Sequence, residues 1–153
     1  VMQTSQETYD ESLRDLVLGT FSTLRHTPIT IIGINRSAHF LIESEEKWHK
    51  AGHKLAPKEL WNGILEKPGM LSLTMEESPR KDGLKGFVRV RVEPSGSVKP
   101  WGLFIEVNDH IVLSDTKKDA GSDVMLDILK SKWENSINMA EEIIYTLYER
   151  VQS

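Results

Sequence analysis

The chain has 153 residues, a formal net charge of −4 and no cysteine. That length suits one domain able to bury roughly 70% of its unfolded surface without a disulfide or metal, and the lack of cysteine excludes thiolate catalysis and cysteine-bound zinc or iron–sulfur clusters. The mild negative charge gives no global pull toward nucleic acid, and no run approaches the roughly 20 apolar residues of a membrane-spanning helix, so a single cytoplasmic domain over 1–153 with no cofactor is expected.

Val1 to Thr4 reads as the end of a strand that began earlier, so N-terminal strands of a longer protein are expected to precede it. Residues 8–25 place Leu13, Leu16, Val17, Phe21 and Leu24 on one helical stripe, with Thr4 or Ser5 as cap and Glu7, Asp10 and Glu11 suited to the positive end of the dipole. Pro28 ends that region. The β-branched run from Ile29 predicts a strand reaching Ile42. Ile32, Ile34, Ala38, Phe40 and Ile42 would share one face, and Gly33, Asn35, Ser37, His39 and Glu43 the other. Arg36 interrupts the apolar face and calls for a bend, a bulge or a pairing partner.

Ser44 ahead of Glu45 and Glu46 predicts a helix start, with a stop near Gly52. Pro57 opens a second short helix reaching Leu65. Residues 70–77 alternate as a half-buried strand, and Asp82-Gly83 supplies a turn. Val88, Val90 and Val92 alternate with Arg89, Arg91 and Glu93, and Leu103, Ile105 and Val107 begin a last strand close enough to pair antiparallel. A polar linker, Ser114 to Ser122, leads to apolar positions from Leu126 to Val151 at steps of three and four, a helix of roughly 40 Å. The order predicts an α+β domain: a curved antiparallel sheet of about four to five strands, packed by an N-terminal helix and a long C-terminal helix. In outline it resembles helix-grip or TATA-binding-protein-like arrangements.

Three groups of residues carry candidate chemistry. His49 and His53, four apart on a helix, present imidazoles on one face and are candidate metal ligands, although the glutamate of a zinc-protease motif is absent. His39, Asp109 and His110 are candidate acid/base groups, since a histidine beside a carboxylate is tuned for proton transfer. They would converge, with Asn35, Arg36 and Asn108, if the first and last long strands were neighbours. Arg80, Lys81, Arg89 and Arg91 concentrate charge on one hairpin, where they would meet an acidic partner or a phosphate backbone, though no aromatic interleaving suggests base stacking. Trp101 and Trp133 complete the candidate interaction residues.

The segments HTP, GIN, HF, WHKAGHKLAPKELW, PGMLSLTMEE, VEPS and VNDH, between Leu24 and Asn108 and on to His110, resemble a widespread group of uncharacterised bacterial proteins. The resemblance covers the middle of the chain. It implies a bacterial, cytosolic α+β protein whose relatives carry strands ahead of the segment matching Val1 to Thr4, and it transfers no activity or catalytic residue. No nucleophile elbow, phosphate-cradling glycine loop or dinucleotide fingerprint is present. The leading expectation is a non-enzymatic interaction or regulatory module in a bacterial multi-protein system, for example one of stress or anti-phage defence, with a protein partner or homo-oligomerisation. A metal-assisted or acid/base enzyme using the histidines is the alternative, and nucleic-acid contact through the basic hairpin the second.

Overall fold

The computed structural model describes residues 1–113 and 122–153. The expected linker therefore lies outside the described residues, apart from Ser122, which opens the last helix. Helix α1 (Asp10–Thr23) precedes strand β1 (Ile31–Leu41) and helix α2 (Glu45–Leu55). Strands β2 (Leu73–Glu77), β3 (Gly86–Pro94) and β4 (Gly102–Val112) and helix α3 (Ser122–Gln152) follow. This is an α+β fold in which the four strands form one antiparallel sheet in the order β1-β4-β3-β2.

Side-chain alternation decides where the core lies. Ile34, Ala38 and Phe40 of β1, Val88, Val90 and Val92 of β3, and Leu103, Ile105, Val107 and Ile111 of β4 share the inner face, as a period of two requires. Across it runs α3, 31 residues and so about 46 Å long. It buries Met125, Leu126 and Leu129 at one end and Ala140, Ile144 and Val151 toward the other. Its apolar stripe is thus spent on its own sheet rather than on a partner helix. Helix α1 buries no residue completely; Val17, Leu18 and Phe21 pack beside Ile34 and the first turns of α3. Helix α2 closes the other end, where Trp48 packs beside Trp101 and donates its indole N–H to the Gly102 carbonyl at 3.0 Å. Among the described residues no helix is long and apolar enough to cross a membrane.

Several local expectations change. Residues 1–4 form no strand. Arg36 introduces no bulge, because β1 and β4 stay in continuous register from Ile31 opposite Val112 to Leu41 opposite Gly102. Its guanidinium instead reaches Asp10 of α1 at 2.9 Å and Glu141 of α3 at 2.7 Å. Ser44 caps α2 as expected, accepting from the Lys47 amide. Gly52, however, does not stop the helix, which runs to Leu55: a glycine costs about 1 kcal/mol, and Trp48, Ala51 and Leu55, packed into the core on one face, outweigh it. The second short helix shrinks to a 3-10 turn, Glu59–Trp61, ended where Gly63 takes a φ of 76°. The strand expected over 70–77 begins only at Leu73. Where β3 begins, Gly86 has a φ of 131°, and a Cβ there would sit 2.0 Å from the His110 carbonyl oxygen, so only glycine fits.

The centre of the core supplies a stability test. Ile105→Ala removes a fully buried side chain between β1, β3 and α3, and chemical denaturation should report a loss of about 2–5 kcal/mol with unchanged secondary structure. A loss below about 1 kcal/mol would contradict this placement of the core.

Candidate interaction site

The acid/base candidates do not assemble. Consecutive strand residues point to opposite faces, so Asp109 enters the core while Asn108 and His110 stay on the outer face. His39 shares that outer face but lies opposite Phe104, whereas His110 lies opposite Gly33. Six residues of strand, about 20 Å, separate them. His39 bonds through Nδ1 to the Ser95 hydroxyl at 2.8 Å and tilts against Phe104, and His110 stacks on Phe87 at 4.2 Å. Arg89 lies over Phe87 and Arg91 over Phe104. The two phenylalanines are thus interleaved with the arginines on the open face, an arrangement the sequence reading did not anticipate.

Asp109 is tied off inside the protein. One carboxylate oxygen accepts from Arg80 Nη1, and the other accepts from the Ser136 hydroxyl of α3 at 2.6 Å. Arg80, itself buried, also donates to both Asp82 oxygens, at 3.0 and 2.7 Å, and to the His110 carbonyl at 3.2 Å. The hydrogen bonds from Arg80 hold the Asp82 carboxyl below its ordinary range, against the opposing effect of burial. A cleft of about 160 Å³ beside this junction is lined by Arg80, Asp82, Asp109, Lys132, Asn135 and Ser136. Asp109 is thus engaged at both carboxylate oxygens, and Asp82 is held by the Arg80 guanidinium.

The basic hairpin is neutralised. Arg80 is buried, Lys81 pairs with Glu77 at 2.9 Å, Arg89 with Glu76 at 2.6 Å, and Arg91 lies between Glu93 and Glu106 at 3.5 and 3.3 Å. The candidate metal ligands are both exposed on α2 and each faces a different carboxylate: His49 faces Glu45 at 3.7 Å and His53 faces Glu59 at 2.9 Å. Among the described residues no group of three or more histidine, aspartate or glutamate side chains is placed to hold a metal ion. Trp101 and Trp133 are half-buried, each packed against the core.

Exposed apolar side chains are frequent on the excursion between α2 and β2. Leu60 and Leu71 are each 84% exposed, and Trp61, Ile64 and Leu65 are also open to solvent. Met75 on the adjoining edge strand extends the set. Large apolar side chains that join into one exposed patch mark interaction sites on monomeric proteins. The helix expected from Pro57 to Leu65 does not form over this stretch: Asn62-Gly63, a stop legible in the sequence, ends the turn before a buried face can develop.

No family model, no curated protein and no solved structure matches the chain. The resemblance noted above therefore rests on its motifs alone.

Two measurements test the Asp109 junction. Arg80→Met leaves a buried carboxylate without its cation and should cost about 3–5 kcal/mol in denaturant unfolding. The Asp82 pairing follows a depressed carboxyl pKa, so its stabilisation is present above the unfolded value of about 3.9 and fades as pH falls through the folded value. The stability difference between wild type and Asp82→Asn should accordingly be largest near neutrality and shrink in acid; a difference that grew in acid would reverse the sign.

Proposed function

We propose that the chain is a non-enzymatic interaction module that docks a protein partner through the apolar excursion between Leu60 and Leu71. The observation that carries this reading is the run of large apolar side chains left outside the core. An aromatic and aliphatic patch is the kind of surface that becomes the desolvated centre of a protein interface. Its chemistry also separates protein from nucleic acid: nucleic-acid affinity is dominated by free cations meeting phosphates, and the hairpin arginines are already paired with glutamates. The enzyme reading draws no support from the sheet, where His39, Asp109 and His110 are held apart by face and by distance. A bacterial cytoplasmic setting within a multi-protein system, with stress or anti-phage defence as examples, belongs to this proposal through the motif resemblance.

A photo-crosslinking residue placed at Leu60 in host cells should yield a discrete protein adduct, and the same residue at Glu142 on α3 should not. Trp61→Ala should weaken the captured complex at least about 30-fold, the scale of a central interface aromatic. A nuclease-sensitive adduct would replace the protein reading with the nucleic-acid one. Equal yields from both positions would overturn a specific docking site.

A further inference from the structure

The two edges of the sheet are unequal. At one edge, β2 is short, carries Glu76 and Glu77, and is followed within two residues by Pro79, the features by which proteins discourage strand addition. At the other, β1 runs for 11 residues without lysine, proline or bulge. The flanking bonds, Leu113 N–H to the Thr30 carbonyl at 2.8 Å and Ile42 N–H to the Trp101 carbonyl at 2.9 Å, set the parity of the β1–β4 ladder. Even-numbered residues of β1 bond to β4. The N–H and C=O of Ile31, Gly33, Asn35, Ser37, His39 and Leu41 therefore point outward along the edge. Among the described residues no other backbone bond takes them up.

We propose that a second copy of this chain pairs with β1 edge to edge, antiparallel about a two-fold axis through Arg36, joining the two sheets into one. Parity selects this arrangement. Antiparallel pairing needs outward-pointing residues to meet outward-pointing residues, so the axis passes through a residue rather than between two. Only an axis at Arg36 overlaps the whole strand and gives every outward group a partner. In that register Asn35 faces Ser37 of the second copy, Gly33 faces His39, and Ile31 faces Leu41. Ile31 and Leu41 are 50% and 58% exposed in the single chain, so each covers an apolar side chain of the other copy at both ends of the seam. The like charges at the axis are tolerable because each Arg36 turns to the helix side and is held by Asp10 and Glu141 of its own chain. Tyr9, exposed and adjacent to Asp10, lies near the same axis. This inference rests on the strand edge and not on the apolar excursion, so either can fail without the other.

The absence of native cysteine makes the register directly testable. Hydrogen-bonded antiparallel neighbours lie about 5.5 Å apart at Cα, within disulfide reach. Asn35→Cys with Ser37→Cys should form an intermolecular disulfide on mild oxidation, and Gly33→Cys with Ser37→Cys, which matches an axis at Asn35, should not. Light scattering on the unmodified chain should give twice the 17.4 kDa of one copy. Ser37→Pro, which removes two symmetry-related N–H groups from the seam, should weaken the dimer about 30-fold. A single-copy mass across micromolar to millimolar concentration would overturn the proposal. So would equal cross-linking of both cysteine pairs, or a dimer indifferent to Ser37→Pro; should the proline variant fail to fold, the cysteine pairs still decide.

Discussion

The buried carboxylate of Asp109 governs how the pieces of this protein sit together. An ionised group in an apolar core costs several kcal/mol unless it is paired and hydrogen-bonded. Asp109 meets that requirement by drawing in two separate parts of the chain: Arg80 from the loop before β3 and Ser136 from the middle of α3. Arg80 then brings Asp82 with it, and the loop is folded onto the end of the sheet. A second polar pin lies on the neighbouring strand, where Arg36 reaches Glu141, five residues along α3 from Ser136. Apolar contacts alone would let a long helix slide or rotate over a sheet of valines and isoleucines. Two charged groups from adjacent strands, each bonded to a defined position on α3, restrict both motions.

Much of the scaffold was legible in local pattern. Period-two alternation in β1, β3 and β4 and the three-and-four spacing of α3 identify the elements and their buried faces, because each depends only on residues near in sequence. At Arg36 the sequence left a bend, a bulge or a pairing partner open, and it could not decide among them because Asp10 and Glu141 come from elements far along the chain. Asp109 was misjudged for a different reason. Val107, Asp109 and Ile111 share a parity, so alternation already assigned Asp109 to the core and His110 to the outside. Grouping Asn108, Asp109 and His110 as neighbours ignored the strand. The burial of Arg80 left no local trace, because it sits in a polar loop and is decided by a carboxylate 29 residues away.

The surfaces follow from the same frame. With α3 and α1 on one face, the other face of the sheet carries stacked rings and paired charges, while exposed apolar residues on the excursion and at both ends of the β1 edge join others on α1 and α3. An 11-residue edge without lysine, proline or bulge, whose one charge, Arg36, is turned inward and paired, and a run of uncovered leucine, isoleucine and tryptophan both invite association. Together they are the two surfaces on which the proposed docking and the proposed pairing rest.

Residue-resolved amide exchange along β1 of the unmodified chain, measured over a range of protein concentration, addresses the proposed pairing most directly. In an isolated copy the amides of Ile32, Ile34, Arg36, Ala38 and Phe40 are protected by β4, and those of Gly33, Asn35, Ser37 and His39 are open. The account predicts that this alternation disappears as concentration rises, the odd-numbered amides becoming as slow as their neighbours. Persistence of fast exchange at the odd-numbered positions at every concentration would contradict it.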